Sequence, residues 1–366
     1  MPAYEDPDDI SDFQSGAAIS QENLPFRDEY EDKFRLMLEK SDLVGGIVAV
    51  HEWNDSFAGV AARTLETFKQ EVPKCPVLAF APINPFLKRT KWADEPWADL
   101  NMLLGFRNII LPWEDLTIPM ELPPQMFEKR KELLSGFRPE LRYHVGAVAA
   151  LGIDSAVHLL ARKSADMDMN KFVAYFACDQ NAKMAHMRQS MPFVRGPDQK
   201  IVKAIEEIKA EQLDFFTPEV SKAKRQAYVS HNILRANSEE KALKQDMGEL
   251  LDKVPRLSKY VRSSFFDENI LLPLSYPRFF GNRMGTTGQV SATPLVGPGF
   301  VTQIPHYENI YLTYKTGSYL RKKVIAVRER QVWLKNLMAK GKLDVDEWDE
   351  ISSDMAHVVD AYSSLK

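Results

Sequence analysis

Leu43-Val44-Gly45-Gly46-Ile47-Val48-Ala49-Val50, followed by His51-Glu52-Trp53-Asn54-Asp55-Ser56-Phe57-Ala58-Gly59, is the stretch on which the reading of this fold turns. The run Gly45 to Val50 is uncharged, β-rich and bounded by glycines, which predicts a buried strand. After the polar loop, Phe57 to Val72 places Val60, Ala61, Leu65, Phe68 and Val72 on one helical stripe. Pro73 and Pro76 punctuate the end of that helix, and Val77 to Ala81 reads as the next strand. Strand, helix and strand in this order predict parallel pairing with the helix laid on one face.

The alternation continues toward the C-terminus. Trp97 to Leu104 reads as a helix, Arg107 to Leu111 as a strand and Gln125 to Leu134 as a helix. Pro139 to Lys163 is a long helical pattern carrying Val145, Val148, Leu151, Val157 and Leu160, with Pro139 suited to its first turn. Phe172 to Phe176 is an aromatic-rich strand candidate. Pro197 to Phe216 and Ser238 to Val254 read as helices, and Pro273 to Phe300 as loops and short strands. Two helices, His306 to Lys340 and Asp344 to Ser364, close the chain. On the other side, a helix is expected around Glu31 to Lys40, and residues 1–26 show no periodicity.

Length and composition fit two globular domains: 366 residues, 45% hydrophobic and 27% charged. A net charge of −4 gives no global reason to expect nucleic acid or anionic lipid as a partner. Tyr4 to Asp12 is acidic, whereas Arg321-Lys322-Lys323 and Arg328 to Arg330 are basic. Cys75 and Cys178 are too few for a disulfide framework and lack metal-ligand spacing, so a reducing compartment is expected. No run approaches the ~18 apolar residues of a membrane span. The N-terminus has no arginine before Arg27 and makes a poor secretory signal or organellar presequence.

Two places invite chemistry. The first is His51 to Gly59, because ligands of open α/β sheets bind where strands give way to helix N-termini. A phosphate loop needs glycines for close backbone approach; here only Gly59 is present, and Glu52 and Asp55 would repel an anion. A capped helix start, with Asp55 or Ser56 as N-cap, is the better reading. The second is Asp166-Met167-Asp168 with Asn170 and Lys171, where two carboxylates at i, i+2 suit a metal or a base, and a capping turn equally well. No third acidic ligand lies near, so no metal site is expected. The seven histidines have no zinc-motif spacing, and no nucleophile elbow, dinucleotide fingerprint or Walker loop occurs. Cys178 near Asp179 and His186 reads as an uncommitted buried cysteine rather than a thiol site. Arg321 to Arg330, interleaved with Val324, Ile325 and Val327, reads as an amphipathic helix with a solvated basic face.

The run Leu43 to Val50, the loop after it, and Phe57-Ala58-Gly59-Val60-Ala61-Ala62 resemble the tubulin superfamily, most closely its Misato-like branch. Phe80-Ala81-Pro82, the element order through Trp97 to Asp115, the long helix near Arg142, and Leu272-Pro273-Leu274-Ser275-Tyr276-Pro277-Arg278-Phe279-Phe280 continue the likeness over residues 30 to 366. The resemblance implies an α/β fold: a truncated tubulin-like sheet flanked by helices, then a smaller α+β domain and two C-terminal helices. The implied divisions are an acidic extension (1–30), a degenerate nucleotide domain with its central helix (31–190) and a C-terminal α+β domain (191–366). It also implies that the family's GTPase parts are degraded. The portion expected upstream of residue 30 has no room, and the glycine-rich loop is replaced by His51, Asn54, Asp55, Ser56 and Gly59. The activating loop falls on Asp166, Asp168 and Lys171, where a lysine stands for an acidic residue.

The expectation is therefore a non-catalytic pseudo-GTPase scaffold with no cofactor and no metal. It would be an accessory structural subunit whose partners are the other protein subunits of a large mitochondrial assembly, such as ATP synthase or a respiratory complex, with no nucleic acid and no direct membrane span. The alternatives are a GTP-binding tubulin-like switch and a mitochondrial or cytoplasmic, cytoskeletal assembly factor. That factor would hold its partner with the final helices, so that removing residues 341–366 would abolish capture without unfolding the core.

Overall fold

The computed structural model describes residues 12–22, 24–83, 97–121, 133–162, 167–191, 213–214, 227–237, 258–288, 290–291, 293–295, 299–340 and 343–365. The architecture is mixed α/β, with parallel and mixed sheets. Two compact units draw on separated stretches of chain: 1–119, 168–185 and 314–366 form one, and 120–167 with 186–313 the other.

Unit 1 is built on a sheet ordered β1 (Ile47–Val50), β2 (Val77–Pro82) and β3 (Leu116–Met120). β1 and β2 are parallel, Ile47 opposite Val77 and Val50 opposite Phe80, as the strand–helix–strand pattern predicted. β2 is buried along Val77 to Ala81, which explains its unbroken apolar sequence. β1 is different: it is the edge strand, and Val48 and Val50 are exposed. α3 (Ser56–Glu71) is the crossover helix between these strands.

Several expectations are corrected here. Residues 13–39, expected to be unstructured as far as 26, form α1 (Phe13–Glu22) and α2 (Leu24–Glu39). Asp12 starts α1 by accepting from the Ser15 amide at 2.7 Å. Arg107 to Leu111 is not a strand: α4 (Trp97–Gly105) runs on through a π-turn at Phe106–Ile110 into α5 (Leu111–Trp113), and the strand follows as β3. The Phe-Arg-Asn-Ile-Ile run is buried on one side only, at Phe106, Ile109 and Ile110, so a one-sided helix matches it better than a strand. Phe172 to Phe176 lies in the helix α7 (Met169–Phe176), whose buried Met169, Phe172, Val173 and Phe176 recur at helical spacing. The first closing helix begins later than expected: His306–Thr313 is a strand of unit 2, and α8 (Lys315–Glu329) and α9 (Gln331–Ala339) follow it.

α10 (Val345–Ser363) begins with a capping box, Asp344 accepting from backbone and Glu347 reaching back. It buries Trp348, Ile351, Met355, Val358, Ala361 and Tyr362. Tyr362 Oη accepts from the Met184 amide at 2.6 Å and donates to its carbonyl at 3.2 Å. This helix is therefore core, and the expectation that residues 341–366 can be removed without harm to the fold is overturned.

Unit 2 holds a five-stranded sheet ordered β5 (Leu213–Asp214), β4 (His186–Ser190), β10 (His306–Thr313), β6 (Ala227–Arg235) and β7 (Ser258–Phe266). Its pairs are antiparallel except β6 with β7. β5 contradicts the end of the helix expected over 197–216; the rest of that helix, the one expected at 238–254 and residues 125–132 of the one expected over 125–134 lie outside the described residues, and Leu133 and Leu134 are in a turn. A small pair, β8 (Ile270–Leu271) with β9 (Gln303–Ile304), frames the loop-rich stretch predicted there.

α6 (Arg142–Ala161) packs on this sheet. It is long and apolar enough, by length and composition, to cross a membrane. Here Val148, Leu151, Gly152, Ser155, Ala156 and Leu159 are buried. Gly152 is placed where a Cβ would come 2.5 Å from Met187 Sδ of β4, so a side chain there would have to displace the Met187 side chain.

Candidate functional site

The ligand position of an open parallel sheet is the carboxyl end of its strands, and in unit 1 that is the loop from His51 to Ser56. Asp55 is the N-cap of α3, extended in backbone and accepting from the Phe57 amide at 2.9 Å. The capped helix start is what the structure holds. Asp55 takes the amide that a phosphate would need, and it brings a carboxyl to the same point.

Neither Asn54 nor Gly59 faces a ligand. Asn54 is buried, and its carbonyl accepts from Asn101 Nδ2 at 3.3 Å; Asn101 Oδ1 accepts in turn from the Phe13 amide at 3.1 Å. Ser56 and Gly59 pack against α1. A Cβ on Gly59 would stand 2.0 Å from the Phe13 carbonyl oxygen, and one on Gly16 would stand 1.8 Å from that of Ser56. Two helices therefore cross backbone to backbone at a pair of glycines, directly over the first turn of α3. The single glycine that survives in the loop serves helix packing rather than anion approach. The sequence carried a signal for this, since Gly16 and Gly59 both sit among small residues, but nothing in it pairs them.

His51 lies at the mouth of the loop with only 8% of its side chain exposed. Its Nε2 bonds Glu114 Oε1 at 2.6 Å and its Nδ1 meets the Glu52 carbonyl at 3.0 Å. A carbonyl and a carboxylate are both acceptors, so this setting favours the imidazolium, with both ring nitrogens donating. Burial disfavours that charge, yet Glu114, the Glu52 carbonyl and Asp55 outweigh it and raise the pKa of His51. Glu114 is fully buried and also accepts from Thr117 Oγ1. An imidazolium with both nitrogens engaged has no lone pair to act as a base, so this pair holds the loop to β3 and does not activate a nucleophile.

Glu52 and Asp55 form the other half of the cluster. Burial, then the hydrogen bond and charge of Glu52, push Asp55 up to about 8, against the pull of the Phe57 and Ala58 amides. At neutral pH Asp55 therefore keeps its proton, which its hydrogen bond to Glu52 holds in place. The His51–Glu114 pair is neutral as a whole, so the loop presents net negative charge where a nucleotide phosphate would lie.

Glu114 is positioned by the π-turn before it, with its amide bonded to the Ile109 carbonyl at 3.3 Å. Lys183 Nζ ties down the same helix end, donating to the carbonyls of Leu111 at 2.6 Å and Glu114 at 2.8 Å. Neither His51–Glu114 nor Lys183 was singled out from the sequence as a partner here, because their separations of 63 and 69 residues leave no local pattern.

The second expected site divides. Asp166 lies outside the described residues. Asp168 is the N-cap of α7, accepting from the Lys171 amide at 2.8 Å, and Lys171 Nζ stands 4.0 Å from the same carboxylate on an exposed surface. These residues serve the cap. Among the described residues no group of three His, Cys, Asp or Glu side chains is arranged to hold a metal. Cys178 is exposed rather than buried as expected; partial desolvation by its neighbours and the charge of Asp179 still raise its thiol, which opposes a thiolate nucleophile. The basic stretch behaves as an amphipathic helix: Tyr319, Leu320 and Val327 are buried, Arg321, Lys322 and Arg328 exposed, and Lys323 donates to Asp99 at 2.6 Å.

What stays open lies beside the loop, along the outer edge of β1. A cleft of about 500 Å³ runs between β1 and α3, lined by Val48, Val50, Phe57, Ala61, Leu65 and Phe68 among others. The amides of Ile47 and His51 point to β2, bonding Pro76 and Phe80, so by strand alternation those of Val48 and Val50 point outward. Val50 and Phe57 are 57% and 63% exposed. Among the described residues β1 itself, Ile47–Val50, carries no charged residue or proline, and Glu52 lines the cleft just beyond its end. No family model matches the chain, and no curated protein does.

Proposed function

We propose that this chain is a non-catalytic, tubulin-like and specifically Misato-like scaffold, an accessory structural subunit of a large and mitochondrial protein assembly. The observation that carries the reading is the state of the α3 N-terminus. The position that would cradle a phosphate is filled by Asp55 and crossed by α1 at Gly16 and Gly59, and the groups around it carry net negative charge. This speaks against chemistry on a nucleotide at this position, whereas the outer edge of β1, unpaired among the described residues, offers backbone and apolar side chains of the kind that accept a partner's strand.

The test is native electrophoresis of tagged full-length protein, alongside Val48→Pro. The proline removes an outward amide and no bond to β2. The wild type is expected in a large complex and the variant as free protein with an unchanged melting temperature. Migration of the wild type as a free monomer defeats the proposal. Labelled GTP that binds purified protein at micromolar concentration, and is lost in Asp55→Ala, would favour the switch instead.

A further inference from the structure

The face of the unit 2 sheet beneath α6 carries an unusual set of buried polar groups. Along β10, His306 and Glu308 point to this face; Gln189 of β4 and Ile233 of β6 stand directly beside Glu308, and Arg235 stands beside His306. Three polar ties hold α6 around this point. Gln189 Nε2 donates to the Val148 carbonyl at 3.1 Å, Ser155 Oγ bonds His306 Nδ1 at 2.9 Å, and Arg235 Nη1 bonds Asp154 Oδ2 at 2.5 Å. His306 Nε2 completes the set by donating to Gln189 Oε1 at 3.1 Å, which fixes Nδ1 as the acceptor from Ser155 and the ring as neutral.

Glu308 belongs to none of these ties. It is fully buried, and among the described residues both of its carboxyl oxygens lack a hydrogen-bond partner. Arg235 Nε is likewise buried without an acceptor. A buried carboxylate with no donor costs several kcal/mol, so the group must be neutral or must find a cation. Among the described residues the groups facing it are few. β6 offers Arg235 and His231, α6 offers Asp154, His158 and Arg162, β10 offers His306, β7 offers Arg262 beyond His231, and β4 supplies Met187 and Gln189; Glu268, just after β7, pairs with His158 and Arg162. Burial holds His306 and His231 down at about 3, so neither is charged near neutral pH. Arg235 is the near cation, and Asp154 occupies it. Burial drives Glu308 well above its usual range; Arg235 opposes this and Asp154 adds to it.

We propose that Arg235 is a shared cation in a proton-controlled latch: while Glu308 holds a proton, Arg235 clamps Asp154 and so ties α6 to the sheet, and when that proton leaves, Glu308 takes Arg235 and the tie is released. The exchange balances in charge, because one proton goes to solvent and Asp154, which is 57% exposed, is left hydrated as a carboxylate. The device is independent of the scaffold reading, and it makes α6 the mobile element of unit 2.

The sign follows from linkage. With a folded pKa above the usual 4.5, Glu308 binds a proton in the folded state that the unfolded chain has lost. Its penalty is absent below that value, grows as pH rises, and levels off above the folded pKa.

The experiment is hydrogen exchange of α6 amides in the full chain from pH 5 to 9, corrected for intrinsic rates, in wild type and Glu308→Gln. The wild type should open α6 about tenfold more for each pH unit inside the window, the linkage of one proton. Glu308→Gln should show a flat profile. Parallel profiles in the two proteins overturn the latch. If Glu308→Gln does not fold, Asp154→Asn serves in its place: freeing Arg235 should ionise Glu308 and remove one protonated-carboxyl infrared band at neutral pH. Retention of that band in folded Asp154→Asn overturns the proposal as well.

Discussion

Changing glycine to alanine at two helical positions should move stability in opposite directions. In α6, a Cβ on Gly146 meets nothing within 4 Å, and its φ is negative. Alanine there lowers the backbone entropy of the unfolded chain without a steric penalty and should stabilise by about 1 kcal/mol. In α3, alanine at Gly59 carries the same propensity gain but sets a methyl group 2.0 Å from the Phe13 carbonyl and 2.5 Å from the Ala17 amide. These are backbone atoms, so no rotamer relieves the clash and α1 must shift by more than 1 Å to reach ordinary contact at about 3.4 Å. Such a shift lifts Phe13, 5% exposed, and strains the Asn101 bond to its amide. Overpacking of this kind costs about 1–3 kcal/mol, and losing the burial of a phenylalanine costs a similar amount. After the propensity gain, Gly59→Ala should be destabilised by about 3 kcal/mol, a gap of about 4 kcal/mol between the two variants. Urea titration followed by tryptophan fluorescence measures the gap, and exchange of the α1 amides locates it. Equal stabilisation in both variants would refute the backbone crossing of α1 over α3, and with it the closure of the phosphate position.

The remaining predictions concern the loop and the last helix. Asp55→Asn keeps a good cap and removes the retained proton; because the Asp55 pKa is raised from 3.8 to about 8, its penalty grows across that interval. The variant should therefore melt above wild type at pH 8 and level with it near pH 4, and a gap that does not change with pH counts against the retained proton. His51 is raised, so its pairing stabilises fully below about 6.5 and fades as pH climbs through the folded value. The melting-temperature deficit of His51→Gln should accordingly shrink from pH 6 to pH 9. Glu114→Gln leaves the buried imidazolium uncompensated and should cost about 3–5 kcal/mol by urea titration at pH 6. Tyr362→Phe strands the Met184 amide and should cost about 1–3 kcal/mol, whereas a stop after Lys340 removes the α10 core and should leave unit 1 without a cooperative melt.

Local pattern carried a good part of this protein. Gly45 to Ala81 announced a strand, a crossover helix and a parallel strand; the uncharged run of β2 records burial on two faces and the 3.6-residue stripe of α3 burial on one, whereas the like run of β1, expected to be buried, lies at an exposed edge. Asp55 as a cap was legible for the same reason: capping is a contact between residues two or three apart. Where the period was short the reading failed. Phe172-Val173-Ala174-Tyr175-Phe176 is apolar enough for a strand, and its neighbour Met169 is what places it on a helix. His186-Met187-Arg188-Gln189-Ser190 is too polar to suggest a strand, yet is buried at all but Arg188 once β10 and α6 supply its partners.

The candidate site divides along the same line. That the loop lacks a phosphate cradle followed from residue types alone, since glycines are absent and carboxyls present. That it is closed did not. The crossing of Gly16 with Gly59, the bond from His51 to Glu114 across 63 residues and the empty-handed oxygens of Glu308 are all products of tertiary packing. Each depends on groups distant in the chain meeting at a distance that composition and periodicity do not encode. A sequence settles which residues can be buried and which helix ends are capped; only the folded chain decides which buried groups find a partner, and that decision sets the charge at His51, Asp55 and Glu308.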